Sequence, residues 1–400
     1  MRKTINIGDL GTIITGKTPP TTNKNYYGDY AVFIKPTDIS EQSKYTYETE
    51  EMYSKLAAEK YESSLIPKGA ICVPCIGTIG TKMTMTPCDC YTNQSINSII
   101  CNENYDNEYV YYLIKNFLPG LKAYNLGTAS GREYVSKSNF EKIELVAEQD
   151  KEIQKKIGVI LSRYDSLIEN YQKQIKLLEE TAQRLYKEWF VDLHFPGHEN
   201  TNIIDGVPEG WEKKKVGEIG TVITGKTPST SNKENYGGSI PFITIPDMHT
   251  GIYPVSSVFL SEKGAESQSK KYIPQGALIV SCIGTAGLVC ITKERCQTNQ
   301  QINSLILDDK EMLHYMYFVF LSLKEHLNNI GSNGATMTNV NKSKFEGIDI
   351  VVPSSCIIRD FSQRTTPYFE NIKSLQSQLR LLTEARDRLL PKLMSGEITI

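Results

Sequence analysis

Two stretches of sequence, GTIITGKTPPTTNKNYYG at Gly11–Gly28 and GTVITGKTPSTSNKENYG at Gly220–Gly237, indicate how this chain is built. They are identical at 13 of 18 positions, with a constant offset of 209 residues. Self-similarity at a long fixed period indicates a duplicated structural unit. A chain of 400 residues is long enough for two such units, each with its own core.

The duplication continues through most of both halves. The further pairs are IPKGAICVPCIGTIG and IPQGALIVSCIGTAG at 66–80 and 273–287, TNQSINS and TNQQINS at 92–98 and 298–304, and KSNFEKIEL and KSKFEGIDI at 137–145 and 342–350. The copies differ most at 38–65 against 247–272 and at 101–134 against 307–339. A shared frame with different inserts is typical of related modules that bind different targets.

Within each copy the pattern is mostly that of short strands. Runs of β-branched and aromatic residues bounded by Gly, Pro, Asn and Asp occur at Ala31–Ile34, Ala70–Val73 and Ile96–Cys101. A helical pattern lies at Asn107–Phe117 and has a counterpart near Lys310–Leu323. The predicted fold class is α+β, with two repeated β-rich units.

After each unit the apolar spacing changes to steps of three and four, which predicts a long helix with a heptad seam. Thr366 and Pro367 are typical of a helix start and place the beginning of the second helix there, whereas Arg386 departs from its seam. Narrow apolar stripes favour antiparallel pairing of the two helices over packing of each on its own unit. About 40 residues at ~1.5 Å each predict a coiled-coil spacer on the order of 60 Å, with the units in a pseudo-two-fold arrangement. The predicted seam residues are Ile157, Tyr164, Tyr171, Ile175, Leu178, Leu185, Tyr368, Ile372, Leu375, Leu379, Leu382 and Leu389.

The chain therefore divides into five predicted segments. They are a first domain at 1–147, a first helical spacer at 148–190, a linker at 191–211, a second domain at 212–353 and a second helical spacer at 354–400. The linker is rich in Gly, Pro, Asn and Asp, with a turn expected at Val207–Gly210.

Composition indicates a soluble chain with a cytoplasmic location. No apolar run approaches the roughly 18 residues that cross a bilayer, and the opening residues lack the apolar stretch of a secretory signal. Nine cysteines without such a signal are typical of reduced thiols. A net charge of −2 means that any DNA binding requires a locally basic surface.

Two segments, Gly11–Thr18 and Gly220–Thr227, match the phosphate-binding loop pattern G-x-x-x-x-G-K-[ST]. A nucleotide-binding loop opens a helix, but here Pro19 or Pro228 follows the Thr at once, without a helical period. The sequence therefore disfavours nucleotide hydrolysis. The same loops remain candidates for contact with the phosphates of a DNA backbone.

Cys72, Cys75, Cys88 and Cys90 resemble a four-thiolate zinc spacing. The second copy offers only Cys282, at the position of Cys75, so buried reduced thiols are the favoured interpretation. The five histidines form no pattern of metal ligands or of a nucleophile with its base. We expect neither a metal nor a cofactor on this chain.

A second pair of loops, Gly127–Tyr134 and Gly331–Thr338, precedes the Lys-Ser-x-Phe segments, which are predicted to be strands. Glycine permits close backbone approach, while Ser, Thr, Asn and Arg contact phosphate oxygens and base edges. An isolated loop of this kind is usually only solvated, but its duplication favours DNA contact.

Taken together, these features resemble the specificity subunit of type I restriction–modification enzymes, over essentially the whole chain. The resemblance rests on the order and duplication of several short motifs. They are the Gly-Lys-Thr-Pro loops at 16–19 and 225–228, the TNQ-x-INS segments, Glu148-Gln149-x3-Ile153, Glu188–Asp192, Pro208–Trp211 and Lys392–Ile398.

The resemblance implies two target recognition domains that each read one half of a bipartite DNA site, separated by two antiparallel helices that fix the unread spacer. It also implies two methyltransferase subunits and restriction/translocase subunits as partners, which supply the chemistry of S-adenosylmethionine, ATP and Mg. This chain is then a non-catalytic, double-stranded DNA-binding subunit. Its predicted DNA contacts are Lys17, Thr18, Lys35, Ser130, Arg132, Tyr134, Lys137, Lys226, Thr227, Thr244, Asn333, Thr336, Thr338 and Lys342.

Two other functions remain open from the sequence. A coiled-coil adaptor whose two β-rich units bind proteins agrees with the near-neutral charge. A nucleotide-binding enzyme that uses the Gly-Lys-Thr loops is disfavoured by their context.

Overall fold

The computed structural model describes residues 2–77, 79–127, 131–332 and 339–400. The chain forms two compact units. Unit 1 consists of Met1–Asn170 and Arg380–Ile400, and unit 2 consists of Tyr171–Leu379. Both units combine small sheets with helices, so the predicted α+β class is confirmed.

Unit 1 is built on three small sheets. One has four antiparallel strands in the order β2-β8-β5-β6, one has the order β4-β3-β7 with a parallel β3/β7 pair, and the third pairs β1 with β9. Their β-branched residues, such as Ile71, Val73 and Ile99, are fully buried in the core. The strands are β1 (Arg2–Asn6), β2 (Gly11–Thr15), β3 (Tyr27–Ile34), β4 (Met52–Tyr53), β5 (Ile71–Pro74), β6 (Thr84–Met85), β7 (Tyr91–Thr92), β8 (Ile96–Cys101) and β9 (Glu144–Glu148).

The helices that begin in unit 1 are α1 (Lys55–Lys60), α2 (Asn107–Phe117), α3 (Lys137–Glu141) and α4 (Lys151–Tyr186). Helix α2 has the predicted bounds, because the Asp106 side chain caps it and its central residues, 109–114, are all buried. The predicted strand at Lys137 is wrong. The Ser136 hydroxyl accepts a hydrogen bond from the Asn139 backbone N–H and starts a single helical turn, and the strand follows only at β9.

Unit 2 repeats this topology, with sheets in the orders β13-β19-β16-β17, β15-β14-β18 and β12-β20. Its strands are β10 (Ile203–Ile204), β11 (Val207–Pro208), β12 (Glu212–Lys215), β13 (Gly220–Thr224), β14 (Tyr236–Ile243), β15 (Val258–Leu260), β16 (Leu278–Ser281), β17 (Val289–Ile291), β18 (Gln297–Thr298), β19 (Ile302–Leu307) and β20 (Asp349–Val352). Its helices are α5 (Ile245–Met248), α6 (Glu262–Glu266), α7 (Leu313–Ser322), α8 (Lys324–Ser332), α9 (Lys342–Glu346) and α10 (Ser355–Ser395). As in unit 1, the Lys-Ser-x-Phe segment forms a short helix, α9, rather than the predicted strand, because Asn341 caps it.

The predicted linker carries structure of its own. Phe195 is buried in the core of unit 2, as is Trp189 near the end of the predicted first helical spacer, and Trp211 packs against this core. Strands β10 and β11 form a hairpin whose two-residue loop, Asp205–Gly206, has positive φ angles at both residues. The predicted turn follows one residue later, where the Pro208 carbonyl accepts from the Trp211 N–H at 3.1 Å.

Helices α4 and α10 contribute residues to both units and run antiparallel within each. In unit 1, Asp165 bonds to Arg386, while Ile157, nearer the start of α4, shares a core cluster with Met394, nearer the end of α10. In unit 2, the Tyr186 and Phe361 rings lie 6.5 Å apart between centroids. Leu178 and Leu375 line one shallow groove farther along both helices.

The predicted seam residues differ in how deeply the structure buries them. Ile157, Ile175 and Ile372 are buried, and the other nine predicted seam residues are half-buried. In α4, Leu161 and Ile168 are almost completely buried. Leu167, which lies between the seam residues Tyr164 and Tyr171 in the predicted steps of three and four, is 44% exposed. The buried stripe of the first half of α4 therefore lies one position away from the predicted one.

The predicted start of the second helix at Thr366 and Pro367 is wrong, because α10 begins at Ser355 and continues through the proline. An internal proline costs about 3 kcal/mol, since it lacks the N–H that the preceding turn requires. Burial of Phe361 before it and Phe369 after it offsets that cost. Thr366 bonds to the Ser362 carbonyl at 2.7 Å rather than capping a helix.

Candidate functional site

In unit 1 the loops singled out in the sequence converge on the turn between β7 and β8. The Lys17 N–H donates to the Thr92 carbonyl at 2.9 Å, and the Cys75 N–H donates to the Ser95 carbonyl at 2.7 Å. The Val135 N–H, just after the second predicted loop, donates to the Cys75 carbonyl at 2.8 Å. Four separate segments therefore meet in one place, which we call the polar corner.

Unit 2 contains the same arrangement bond for bond. The Lys226 N–H donates to the Thr298 carbonyl at 2.9 Å, the Cys282 N–H to the Gln301 carbonyl at 2.8 Å and the Val340 N–H to the Cys282 carbonyl at 2.9 Å. The polar corner thus comprises residues 16–18, 75–77, 92–95 and 134–135 in unit 1 and residues 225–227, 282–284, 298–301 and 339–340 in unit 2.

The glycine of each Gly-Lys-Thr loop is required by close packing. A Cβ atom on Gly16 would lie 2.1 Å from the Thr92 carbonyl oxygen, and one on Gly225 would lie 2.1 Å from that of Asn299. After Thr18 the chain continues as a loop to a short 3-10 turn at Lys24–Tyr26, with no helix at the position that a nucleotide-binding loop requires. The absence of a side chain at Gly16 instead allows the loop to pack closely against the turn between β7 and β8.

Side chains hold this loop in the same way in both copies. The Tyr27 hydroxyl donates to the Pro19 carbonyl at 2.8 Å, and the Tyr236 hydroxyl donates to the Pro228 carbonyl at 2.7 Å. The carbonyl of the loop lysine is held by a different donor in each copy. In unit 1 this donor is the Tyr53 hydroxyl at 2.6 Å, and in unit 2 it is the Gln268 amide at 2.8 Å.

The threonine of each loop reaches across to a glutamine of the turn. The Thr18 hydroxyl donates to Gln94 Oε1, and the Thr227 hydroxyl donates to Gln300 Oε1 at 2.5 Å. Both glutamines are exposed. The predicted contacts omit them, although the identity of the Thr-Asn-Gln segments in two otherwise divergent copies was a signal that could have found them.

Three of the predicted lysines lie at the polar corner or beside an insert. Lys17 and Lys226 are exposed at the polar corner. Lys35 lies beside the insert of unit 1, where its ammonium pairs with Glu50 at 2.8 Å and with Glu51 at 3.2 Å. Thr244, at the place of Lys35 in unit 2, bonds instead to the Asp247 carboxylate at 2.8 Å.

The other predicted contacts are placed as follows. Lys137 and Lys342 each pair with a glutamate one helical turn later, at 3.6 and 3.4 Å. Tyr134 is half-buried and bridges Ile76 at the polar corner, and Arg132 is exposed. Ser130, Asn333, Thr336 and Thr338 lie outside the described residues.

The cysteines of the possible zinc pattern are mostly buried. Burial raises the pKa of both the Cys72 and Cys75 thiols to about 12, so without a bound metal they are protonated near neutral pH. Cys90 has a counterpart that the sequence comparison missed, since Cys90 bridges Ile66 and Cys296 bridges Ile273 in the same way. Among the described residues, no group of three or more His, Cys, Asp or Glu side chains is placed to hold a metal ion.

The inserts beside the two corners differ in charge and structure. Residues 38–65 contain seven acidic and three basic residues, whereas residues 247–272 contain three of each. Both inserts contain a short strand followed by a short helix, β4 and α1 in the first and β15 and α6 in the second, and only the second is also entered by a further helix, α5. In the described part of the chain, no helix is long and apolar enough to span a membrane.

Two α+β units that carry the same polar corner beside different inserts define a two-module binding scaffold. The family model of the type I restriction modification DNA specificity domain matches residues 2–180 and 208–363. The chain therefore belongs to the family of type I restriction–modification specificity subunits.

Relatives and a solved structure agree with this assignment. The chain is 36% identical over 314 residues to the type I restriction enzyme HindI specificity subunit of Haemophilus influenzae, covering 62% of this chain and 68% of that protein. It is 28% identical over 403 residues to the MjaIX specificity subunit of Methanocaldococcus jannaschii, covering 98% and 93%. The crystal structure of the S subunit from M. genitalium has the same fold, with a TM-score of 0.62 at 16% identity, covering 98% of this chain and 96% of that one.

Proposed function

We propose that each unit binds one half of a bipartite, asymmetric DNA sequence. The observation that carries this proposal is the identical polar corner beside a different insert in each unit. Groups common to both units cannot distinguish two different half-sites, so they contact what all duplexes share, the phosphate backbone. The inserts and the loops at 127–134 and 331–338 then read base edges.

The phosphate contacts begin with Lys17 and Lys226, whose ammonium groups are exposed beside Thr18 and Thr227. They supply the local positive charge that a chain of net charge −2 requires for binding DNA. Arg132, Tyr134, Lys137 and Lys342, together with the predicted loop residues, extend this surface. Lys35 is the weakest member of the set, because two glutamates neutralise it.

Helices α4 and α10 set the distance between the half-sites and dock two methyltransferase subunits, with restriction/translocase subunits joining the assembly. Both helices leave apolar side chains uncovered, including Val159, Leu167, Leu177 and Leu381, each at least 44% exposed. Uncovered apolar side chains on long helices support docking of a protein partner. Two modules on one spacer also gain affinity from their effective concentration, and the spacer rejects half-sites at a wrong separation.

In this proposal the chain recognises DNA and catalyses no step itself. Methyl transfer from S-adenosylmethionine and the ATP- and Mg-dependent steps belong to the partner subunits.

The test is long-read mapping of modified adenine in a host that lacks its own adenine methylation and expresses this chain with its methyltransferase subunit. We expect one split, non-palindromic motif with a fixed unread gap, lost when this chain is omitted. A palindromic motif would contradict the assignment of different half-sites to the two units. No methylation, despite a stable complex with an active methyltransferase subunit, would overturn the proposal.

A further inference from the structure

The threonine–glutamine hydrogen bond of the polar corner engages the oxygen of each glutamine amide and leaves its NH₂ group without a partner among the described residues. Gln94 Oε1 accepts from Thr18, and Gln300 Oε1 accepts from Thr227. A side-chain amide has one carbonyl oxygen and one NH₂ group with two donors. The threonine occupies one lone pair of the oxygen, whereas neither Nε2 donor has a partner in the described part of the chain, so a hydrogen-bond acceptor is the ligand that would satisfy each exposed amide.

The same bond also restrains a mobile side chain. A free glutamine loses a large rotamer entropy when it binds, up to about 2 kcal/mol. Here the threonine is itself held, because the neighbouring Pro19 or Pro228 carbonyl accepts from a tyrosine and the preceding lysine is bonded to the β7–β8 or β18–β19 turn. Part of that entropy is therefore lost before any ligand arrives.

The duplication indicates which acceptor is bound. The threonine, the glutamine and their bond recur in both copies, whereas the adjacent inserts differ in sequence and charge, and only the second is entered by the additional helix α5. A base reader would have to differ between half-sites of different sequence. An acceptor common to every duplex is the phosphate oxygen, and uncharged amide donors are ordinary phosphate ligands.

We propose that Gln94 and Gln300 donate hydrogen bonds from Nε2 to DNA phosphate oxygens, one at each half-site, and that Thr18 and Thr227 are positioning residues that orient these amides. The inference rests on the proposed DNA-binding function and assigns two contacts that the lysines alone do not provide. It also separates two roles within one corner: Lys17 and Lys226 contribute charge, while Gln94 and Gln300 set register.

The experiment measures duplex affinity of the full chain in complex with its methyltransferase subunits, across a salt series, on the methylated target and on an unrelated duplex. Gln94→Ala and Gln300→Ala should each weaken binding roughly tenfold, the usual loss for a hydrogen bond to a charged group. The loss should be equal on both duplexes, because phosphate contacts carry no sequence information. The slope of log affinity against log salt should not change, because an uncharged amide releases no counterion.

Thr18→Val tests the positioning role. It should reproduce the loss of Gln94→Ala, and the double variant should be no weaker than Gln94→Ala alone, because both changes disturb one contact. The matched control is Gln275→Ala, which removes an exposed glutamine that precedes β16, at the opposite end of this strand from Cys282 of the polar corner. That variant should bind like the unaltered complex.

Each contrary result has a distinct meaning. An unaltered complex that binds no duplex in a salt-dependent way overturns the proposed function together with this inference. If that complex binds but Gln94→Ala and Gln300→Ala do not weaken it, only the glutamine contact is refuted. A loss confined to the methylated target makes the glutamines base readers, and a Thr18→Val variant of full affinity refutes the positioning role.

Discussion

Different side chains lie at the contact between α4 and α10 in the two units. With an offset of 204 residues, Asp165 corresponds to Phe369 and Ala182 to Arg386. In unit 1, Asp165 and Arg386 form a buried ion pair with Nη1 and Oδ1 2.6 Å apart, and the Tyr112 hydroxyl donates to Asp165 Oδ2 at 2.5 Å. In unit 2, Phe369 and Ala182 belong to one apolar core, and His314 stacks on the Phe369 ring at 4.0 Å.

The same helix contact is therefore compatible with a charged pair or an apolar one, provided that the combined side chains fill the space. The charged version loses solvation of both ions, and its advantage is specificity of register rather than stability. It also explains why Arg386 departs from the apolar seam. We expect a single substitution at this contact to lower the unfolding free energy more in unit 1 than in unit 2.

Removing one member of the ion pair should produce the largest effect. Arg386→Met leaves Asp165 buried without its cation, and we expect unit 1 to lose about 3–5 kcal/mol of unfolding free energy. Hydrogen exchange of α2 peptides in increasing urea measures this, because α2 packs in the same core cluster.

The matched variant replaces both residues with their counterparts from unit 2, Asp165→Phe with Arg386→Ala. We expect it to recover most of the stability lost in Arg386→Met, since apolar replacements of buried ion pairs are often neutral or stabilising. If the double replacement is as unstable as the single one, the two contacts are not equivalent and the comparison between the units fails.

A second prediction concerns acid and unit 2. Burial lowers the pKa of His314 to about 4, below its ordinary value of 6.5, so the folded state binds its proton more weakly than the unfolded state. This contribution is fully present above pH 6.5 and is lost as pH falls to about 4, a change of about 3 kcal/mol. Exchange of α7 peptides at pH 7 and pH 4.5 measures it.

The control is His314→Phe, which keeps a ring that can stack on Phe369 but cannot bind a proton. This variant should lose much less α7 protection between the two pH values. An acid response equal to that of the unaltered chain would assign the effect to other groups of unit 2.

The smallest expected effects are on the salt dependence of DNA binding, where lysines of the polar corner should differ from Lys35 beside the insert of unit 1. Lys17→Ala and Lys226→Ala should each reduce the salt slope of DNA binding by about 1 and weaken binding several-fold. Lys35→Ala should change the slope little, because Glu50 and Glu51 already neutralise that ammonium. Unaltered affinity and slope in both corner variants would exclude Lys17 and Lys226 from phosphate contact.

Local sequence patterns predicted those features of the fold that depend on residues close together in the chain. The bounds of α2 follow from its cap at Asp106 and its apolar residues. The continuation of α10 through Pro367 does not follow from local patterns, because it depends on the burial of Phe361 and Phe369, which is a tertiary effect. The single-turn helix at Lys137 is too short for periodicity to show. Gln94 was missed because its partner Thr18 lies 76 residues away, and no local pattern joins them.

Arg2 and the end of α10 have a consequence for how the chain is made. The Arg2 guanidinium donates to the carbonyls of Leu393 and Met394, both at 2.9 Å, and Leu390, Leu393 and Met394 lie in the core of unit 1. Although domains usually fold in the order in which the ribosome synthesises them, the first unit here cannot complete its core until residues 380–400 have been translated. A nascent chain halted near residue 379 could complete the core of unit 2 while that of unit 1 remained open, so early termination damages the half that was made first.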